Sequence, residues 1–397
     1  MSTASIALDK KAIQREAHDP THARDRTRAA AIMLAALIGL LLSAGFVLYS
    51  LMQSGHAAFN TNSAGIVWGL PIIIYDYFLL TSAGLTMVAS IGLVFRVTAF
   101  EPIARRCLWL ALAGLLGGVA VLFLELGYPL RALYAVPLSM QFASPLFWKV
   151  LIVGAYTVVL LLLLFLMDTS RREPSVPSST RPLALLAALL AGAITLVAGS
   201  VYGMMAMRPF WFGGEIPVTF LIESVMGAFA FTIFFTYFAY RFKPSRVPVE
   251  IRTLFAGSLG TWFAVTIALH FLFHGGRAVT GLWSNAEGMQ VWGHMVASPW
   301  FHLALWGGIA LPFVLMSVGA LRGNAAVQIV ASLLVMVALL VSRYEFIIGG
   351  QMVPLFKGSW APGLLSYSPS PTEWVLLLVG IFLANAVFWF SEWRRGM

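Results

Sequence analysis

Cysteine is almost absent from this chain of 397 residues, in which Cys107 is the single example. One cysteine cannot form an internal disulfide, and it cannot supply the four thiolates that bind an iron–sulfur cluster. The sequence also lacks a glycine-rich dinucleotide fingerprint and a P-loop. Any redox metal must therefore belong to a haem or to another chain.

Charge is scarce as well, because charged residues make up 10% of the chain and hydrophobic residues 60%. This composition excludes a soluble globular protein and indicates an integral membrane protein. A helix needs about 20 apolar residues to cross a bilayer core of roughly 30 Å. Ten segments meet this requirement, so we predict an all-α integral membrane protein with about ten transmembrane helices: 30–52, 68–95, 105–127, 145–167, 182–205, 216–240, 253–275, 298–321, 325–347 and 372–391.

Basic residues predict the orientation. If both termini are cytoplasmic, 19 of the 25 Lys and Arg residues fall in cytoplasmic segments, as the positive-inside rule requires. Residues 1–28 mix both signs of charge, which favours a cytoplasmic tail over a cleaved signal peptide. Topology and anionic lipid headgroups account for the net charge of +9, so we expect no nucleic-acid partner. We predict a multi-pass protein of the bacterial inner membrane.

A polar corner occurs twice. The first runs from Glu125 to Arg131 and precedes Ser144-Pro145; the second runs from His274 to Arg277 and precedes Ser298-Pro299. Serine followed by proline is typical of a helix start. Overlaying the two halves predicts two four-helix bundles, from spans 2–5 and 6–9. The predicted parts are a tail (1–28), a flanking helix (29–53), the bundles (54–206 and 207–348), and an outer loop, last helix and cytoplasmic end (349–397).

Most ionisable residues of the predicted spans lie in the outer third of the membrane, where each is costly and therefore a candidate for function. Asp76 and Glu223 lie about two turns inside, whereas His270 and His274 share one helical face. Such groups near one leaflet suit a quinone, whose reaction moves two electrons and two protons. The inner half holds few such residues apart from those at helix ends, such as Arg96 and Asp168. We therefore predict no side-chain proton relay across the membrane.

The site prediction follows from these depths, and it includes no metal site. Alternatives remain for several residues: Glu125 with Arg131, and Arg343 with Glu345, as interfacial ion pairs or anchors, and Lys149 as a side chain that reaches the headgroups. The predicted catalytic residues are Asp76, Glu125, Glu223 and His270. The predicted quinone contacts are Tyr75, Tyr77, Asp76, Arg131, His270, His274, Arg277 and His302.

Two other functions remain open. A haem-b anchor would use His270 and His302, which lie at similar depth on adjacent predicted spans. We expect no haem, because there is no second such pair. A secondary transporter would also contain repeats and buried carboxylates, but here the carboxylates lie away from the midplane.

The first corner resembles the polysulfide reductase membrane-subunit family, also called NrfD-like. The resemblance rests on Leu124-Glu125-Leu126-Gly127 with Pro129 and Arg131, and then on Ser144-Pro145 and Trp148. Gly349-Gly350-Gln351 is similar to the late segment of longer members. Only the first corner's residues match by motif; Asp76, Glu223 and His270 are placed by depth and helix order.

The resemblance implies a site for menaquinone or ubiquinone near the outer leaflet, without haem. It also implies docking of a four-cluster iron–sulfur subunit, usually backed by a molybdopterin catalytic subunit. The predicted function is therefore a quinone-reactive anchor subunit of a respiratory oxidoreductase, which is not a complete enzyme alone.

Overall fold

A computed structural model describes residues 20–61, 65–169, 180–354 and 363–395, and every regular element in these ranges is a helix. Ten of the described segments are long and apolar enough to cross a membrane. The predicted all-α membrane protein with ten spans is therefore confirmed. Residues 1–19 of the predicted tail lie outside the described residues, and the first helix begins at Pro20, well before the predicted span.

The described ranges contain fifteen α-helices, and short 3₁₀ turns precede or follow several of them. Membrane crossing seven combines α8 and α9, and crossing eight combines α11, a π-helix at Leu303–Ala310, and α12. The α-helices are α1 (Pro20–Ser54), α2 (Leu70–Leu93), α3 (Glu101–Glu125), α4 (Pro129–Leu138), α5 (Pro145–Thr169), α6 (Thr180–Gly203), α7 (Glu215–Ala239), α8 (Val249–Ala256), α9 (Ser258–Trp283), α10 (Gln290–Val296), α11 (Pro299–His302), α12 (Leu311–Ser317), α13 (Gly319–Arg322), α14 (Ala325–Gly349) and α15 (Pro371–Arg395).

Helix α2 lies at the centre of the molecule and packs against α3, α6, α7 and α15. It approaches α7 closely at Gly84, where a Cβ atom would collide with the backbone carbonyl of Ser224. Helices α2, α3, α5 and α6 contact one another in a ring, and so do α7, α9, the π-helix with α12, and α14. The α2–α7 contact joins these groups, and their division into two bundles stays a prediction.

The helix ends define two faces. At one, which we call the terminal face, the start of α1 meets the end of α15, and the Arg28 guanidinium lies 5.3 Å from the centre of the Trp389 ring. At the opposite face, which we call the site face, Glu373 near the start of α15 accepts a hydrogen bond from the backbone N–H of Asn60 (3.2 Å). The spans therefore carry polar groups at both ends.

The second polar corner differs from its prediction. Helix α9 does not end near residue 275 but continues through Gly275, Gly276 and Arg277 to Trp283. In water these two glycines would favour the end of a helix, but in a membrane the packing of neighbouring helices allows glycine within a span. Arg277 consequently lies on the same helical stripe as His270 and His274.

The helix starts follow the predicted serine–proline pairs. Helix α5 begins at Pro145 and α11 at Pro299. The Ser298 hydroxyl accepts a hydrogen bond from the backbone N–H of Trp300, as expected of an N-cap. The π-helix that follows ends shortly before Pro312, which has no N–H to donate to the turn below.

Candidate functional site

Asp76 on α2 is fully buried and forms the first of two ion pairs near the site face. Its Oδ1 accepts a hydrogen bond from Lys149 Nζ (2.7 Å), and its Oδ2 accepts one from the Tyr202 hydroxyl (2.6 Å). Lys149 is itself buried, with its ammonium 4.7 Å from the centre of the Tyr75 ring. Lys149 therefore neutralises Asp76 inside the bundle, and the alternative in which it reaches the headgroups is wrong.

Glu223 on α7 forms the second ion pair. Its Oε2 pairs with Nη2 of Arg343 on α14, while its Oε1 lies 3.5 Å from His270 Nδ1. The Arg343 side chain is buried, and its guanidinium lies 3.8 Å from the centre of the Phe220 ring. Arg343 thus pairs with a carboxylate on another helix, not with Glu345 as the interfacial alternative supposed.

Aromatic rings connect the two ion pairs. The Tyr202 ring, whose hydroxyl binds Asp76, lies 5.7 Å from Phe220 and 5.3 Å from Phe346. Phe220 and Phe346 in turn lie against Arg343. Packed aromatic rings therefore link Tyr202, the partner of Asp76, to Arg343 of the second ion pair.

The histidines of α9 lie beside the second ion pair. His270 is buried, and within the described structure neither ring nitrogen forms a hydrogen bond. Its ring stacks on His274 at 5.6 Å between centroids. Arg277, one turn further, donates to the carbonyl of Phe210 (2.7 Å) and lies 3.7 Å from Glu215 Oε1. A polar stripe thus runs along α9 toward the site face.

Two adjoining cavities open along this stripe. The inner one is small, with room for about one water molecule, and the outer one has a volume of about 520 Å³, within the usual range for ligand sites. Both are lined by Phe210, Arg277 and Trp292. The inner cavity also has Glu223 and His274 in its wall, and the outer cavity has Glu215, Leu272 and Gly276.

Gly276 contributes directly to the outer cavity. A Cβ atom built there meets no other heavy atom within 4 Å, so the glycine leaves open space instead of making a close helix contact. Gly281 is different, because a Cβ atom there would collide with the Trp292 indole. The absence of a side chain at Gly276 therefore leaves the cavity open, and its absence at Gly281 allows the Trp292 indole to pack against α9.

The remaining predicted quinone contacts lie elsewhere. Tyr77 lines a separate apolar cavity among α2, α3, α7, α14 and α15, and its hydroxyl donates to the carbonyl of Met336 (3.0 Å). His302 is exposed and contacts Phe301, whereas His270 is buried, so these two histidines do not share an enclosed site. Arg131 is exposed, with its guanidinium 4.8 Å from the centre of the Tyr128 ring.

Glu125 at the end of α3 forms no ion pair with Arg131, so the proposed corner pair is wrong. Its electrostatic neighbour is the carboxylate of Glu373. Glu373 is fully buried and accepts hydrogen bonds from the Tyr367 hydroxyl (2.5 Å) and the backbone N–H of Ser370 (2.7 Å). Burial, together with the bond to Glu373, raises the pKa of Tyr367 above its ordinary value, which keeps this phenol a neutral donor.

The Gly349-Gly350-Gln351 segment anchors the loop before α2. The side chain of Gln351 accepts hydrogen bonds from the backbone N–H groups of Val67 and Trp68 (2.9 Å each) and donates to the Trp68 carbonyl (2.9 Å). A Cβ atom on Gly350 would collide with the Trp211 indole. This segment is therefore a structural joint between the end of α14 and the loop before α2.

Arg208, in the loop after α6, supports the same region. It is buried and donates a hydrogen bond to the carbonyl of Val353 (2.6 Å). Burial lowers the pKa of Arg208 from its ordinary value. Its hydrogen bond connects the loop after α6 to the segment that follows α14.

The predicted site residues left out five residues of this region: Lys149, Tyr202, Arg343, Gln351 and Glu373. For Lys149 and Arg343 a signal was present, since both lie within predicted spans, where a cation needs a counter-charge. Tyr202 gives no such signal, because a tyrosine near a membrane interface is common. Among the described residues, a further buried ion pair that was not expected lies toward the terminal face, Arg106 with Glu392 (3.2 Å).

These features define a multi-pass helical membrane protein with two buried ion pairs and a ligand-sized cavity at one face. The model of the family "Polysulphide reductase, NrfD" matches residues 58–355, which is more than half of the chain. The chain therefore belongs to the polysulphide reductase NrfD family, as its first corner predicts.

Curated relatives are similar over most of their length. A selenate reductase subunit of Mesobacillus selenatarsenatis is 25% identical over 357 residues, which cover 77% of this chain and 80% of that protein. A putative dimethyl sulfoxide reductase membrane subunit of Halobacterium salinarum is 23% identical, with 88% of each chain covered. An Hdr-like menaquinol oxidoreductase integral membrane subunit of Archaeoglobus fulgidus is also 23% identical, with 90% of each covered.

Proposed function

We propose that this chain is the quinone-reactive membrane subunit of a respiratory oxidoreductase, and that it passes electrons between the quinone pool and an iron–sulfur subunit at the site face. The observation that carries this proposal is the pair of adjoining cavities lined by Glu223, His274 and Arg277. Family membership supports it, as do relatives named as membrane subunits of reductases and of a menaquinol oxidoreductase.

The outer cavity suits a quinone ring. Phe210 and Trp292, with ring centroids 4.9 Å apart, offer flat apolar surfaces, while Arg277 offers donors for a carbonyl oxygen. Leu272 lies at the cavity wall and is 67% exposed. The cavity therefore opens toward the membrane, where the lipid-soluble tail of the quinone would lie. The ring and the tail therefore have separate surroundings.

Proton exchange is assigned to the carboxylates of the same site. Oxidation of a quinol to a quinone releases two protons and two electrons, and in this proposal the electrons leave to the iron–sulfur partner. Glu223 is the carboxylate in the inner cavity, with His274 in the same wall. Glu215 lies 3.7 Å from Arg277, and its side chain is 40% exposed. In this proposal Glu215 exchanges the protons with the aqueous side. Quinone reduction uses the same groups in reverse.

Asp76 receives a positioning role in this proposal. Both of its carboxylate oxygens already bind protein donors, and it lines neither adjoining cavity. The hydrogen bond that its Oδ2 accepts from the Tyr202 hydroxyl holds the Tyr202 ring against Phe346, a ring of the inner cavity wall. Asp76 thus acts through packing on the groups that contact the quinone.

A partner surface at the site face is supported by α4, which has no buried residue. Its exposed apolar side chains include Leu130 and Leu133, each 67% exposed, and Leu138, which is 71% exposed. Apolar side chains grouped on one short helix are typical of an interaction surface. We assign this helix to the docking of the iron–sulfur subunit, with a molybdopterin subunit as the expected catalytic partner.

The test compares two arginines, one in the cavity wall and one outside it, in the complex purified from its native membrane. Mass spectrometry identifies the partners, and oxidation of a soluble menaquinol analogue measures turnover. We expect Arg277→Gln to lower kcat/KM by roughly tenfold to a hundredfold, since hydrogen bonds to charged groups contribute about 1.5–3 kcal/mol. Arg252→Gln removes the same charge from an exposed position on α8, outside both cavities and outside α4, and should leave turnover unchanged.

Equal turnover in the two variants would refute the cavity as the quinone site. Recovery of the chain without redox partners, together with transport of a labelled solute by the purified chain, would replace the proposal by a secondary transporter. A Soret absorption band that stays with the purified chain would instead indicate a haem anchor.

A further inference from the structure

A polar cavity of about 310 Å³ lies at the terminal face, away from the proposed quinone site. It lies between the start of α1, the end of α7, the loop after α7 and the end of α15. Its wall is formed by Asp25, Arg28, Ala29, Ala239, Tyr240, Arg246, Trp389 and Glu392.

The two carboxylates of this wall are already neutralised. Asp25 accepts a hydrogen bond from Arg241 (2.6 Å) and lies 3.6 Å from Arg246. Glu392 binds the guanidinium of Arg106 through both oxygens, at 3.2 and 3.3 Å. With Arg28, four arginines surround two carboxylates, and the cluster carries an excess positive charge.

Arg28 is the cation of this cluster that forms no salt bridge within 4 Å among the described residues, although Asp25 interacts with it electrostatically at longer range. Its guanidinium lies 5.3 Å from the centre of the Trp389 ring. Trp389 is only 2% exposed, yet its Nε1–H has no hydrogen-bond acceptor in the described structure. A buried donor without an acceptor is costly, so its presence in a cavity wall calls for an acceptor in the cavity.

We propose that this cavity binds a phosphate group, as carried by the headgroup of an anionic lipid or by free phosphate. Arg28 and Arg246 supply charged donors, and the Trp389 Nε1–H supplies a neutral donor. Guanidinium groups suit phosphate because several N–H groups point at its oxygens in one plane. The carboxylates do not oppose this binding, since each is already paired with an arginine.

The surroundings also accommodate a lipid. Helix α1 continues from Arg28 into the membrane with exposed apolar side chains, among them Leu34 (58% exposed) and Leu41 (73% exposed). A headgroup in the cavity would therefore leave its acyl chains beside an apolar helix surface. Anionic headgroups attract arginines at the membrane surface, so binding to a defined cavity would fix one such lipid in place.

The test uses the full purified chain in nanodiscs of phosphatidylcholine with or without phosphatidylglycerol. Native mass spectrometry counts the lipids that remain bound after release into detergent. We expect the wild-type chain to retain one phosphatidylglycerol, and Arg28→Gln to weaken that binding by roughly tenfold. Arg26→Gln is the matched control, since it removes the same charge from an exposed position two residues away and should have no effect.

A second variant tests the same site in case Arg28→Gln fails to fold. Trp389→Phe keeps an aromatic ring under Arg28 but removes the Nε1–H, and we expect it to weaken binding by several-fold. In nanodiscs of phosphatidylcholine alone, inorganic phosphate is the second probe, with the melting temperature as the readout. A rise in Tm for wild type and Arg26→Gln, but not for Arg28→Gln, would support the site with free phosphate as its source.

Two outcomes would overturn the proposal. One is the absence of selective retention of phosphatidylglycerol together with the absence of any phosphate effect on Tm. The other is equal loss of binding in Arg26→Gln and Arg28→Gln, which would indicate only a diffuse attraction between the basic face and anions.

Discussion

At the scale of single residues, the carboxylates of Asp76 and Glu223 near the site face differ in how enclosed they are. Asp76 is enclosed, and both its oxygens bind protein donors. Glu223 lines a cavity, with one oxygen bound to Arg343 and the other close to His270. A water molecule can therefore reach Glu223 without breaking the fold, whereas access to Asp76 would require the loss of a buried ion pair.

The Asp76–Lys149 pair gives a stability prediction. Asp76→Asn leaves the buried Lys149 ammonium without its counter-charge, which typically costs about 3–5 kcal/mol in the free energy of unfolding. We expect the purified variant to melt at a clearly lower temperature than the wild-type chain, as measured by tryptophan fluorescence. Tyr202→Phe removes only one hydrogen bond to Asp76 and should cost about 1–3 kcal/mol.

The control for that prediction is the double variant Asp76→Asn with Lys149→Met, which removes both charges. It should regain part of the lost melting temperature, because no isolated charge remains in the interior. If Asp76→Asn were no less stable than the double variant, the ion pair would not be what holds these helices together.

At the scale of helices, α9 shows which parts of the site could be predicted. Its hydrophobic run predicts a span, and the spacing of His270 and His274 predicts a shared face; both are present. Its end could not be predicted locally, because Gly275-Gly276 favours a helix stop in water but not inside a bundle. Arg277 therefore belongs to the histidine stripe, which the sequence pattern alone did not indicate.

Pairing between helices is the other limit of sequence reasoning. Ten spans follow from hydropathy, since each helix must cover its own backbone polar groups in the membrane. The partner of Lys149 lies on α2 and that of Arg343 on α7, far away in the chain. No local pattern specifies such pairs, so these residues were open to interpretation as interfacial anchors.

The adjacent glycines of α9 allow a matched test of the cavity. Gly276 lines the outer cavity, whereas Gly275 is not part of its wall, and a Cβ atom at either position meets no heavy atom within 4 Å. Gly276→Leu should fill the cavity and raise KM for the quinol analogue by about tenfold, the effect of roughly 1.4 kcal/mol. Gly275→Leu makes the same change in helix propensity and should leave KM unchanged.

A shared rise in KM for both glycine variants would point to a general distortion of α9. No rise in either would remove the outer cavity from quinone binding. Melting temperatures of the two variant complexes distinguish these outcomes. Both substitutions replace a glycine within a helix and should stabilise α9 to a similar extent, so a lowered melting temperature would indicate a distorted helix.

At the scale of the whole molecule, polar chemistry is concentrated at the two faces. The site face has the cavity proposed to bind quinone and the exposed α4, and the terminal face has the arginine-rich cavity. Between them, the described hydrogen bonds include a short buried set of hydroxyl groups, in which Tyr156 bonds Ser82 (3.0 Å) and Thr86 (2.7 Å). The two proposals assign different ligands to the two faces, so the side of the membrane on which each face lies matters for both.

The distribution of basic residues predicts those sides. Most Lys and Arg residues of the sequence, 19 of 25, belong to the two terminal tails and to the connecting segments predicted on the same side, and positively charged segments stay in the cytoplasm during insertion. We expect the site face, and with it the iron–sulfur partner, to be on the outer side of the membrane. Single cysteines in a Cys107→Ser background test this, because Cys107 is buried and the hydroxyl of serine can keep the contact with Thr232.

The two reporter positions are Ser139→Cys at the site face and Lys243→Cys at the terminal face, both of which are exposed. A membrane-impermeant maleimide applied to intact cells with a permeabilised outer layer should label Ser139→Cys but not Lys243→Cys, and inverted vesicles should reverse this pattern. The opposite result would put the quinone cavity and its partner on the cytoplasmic side. Protons from quinol oxidation would then be released into the cytoplasm, and the reaction would not contribute them to a transmembrane gradient.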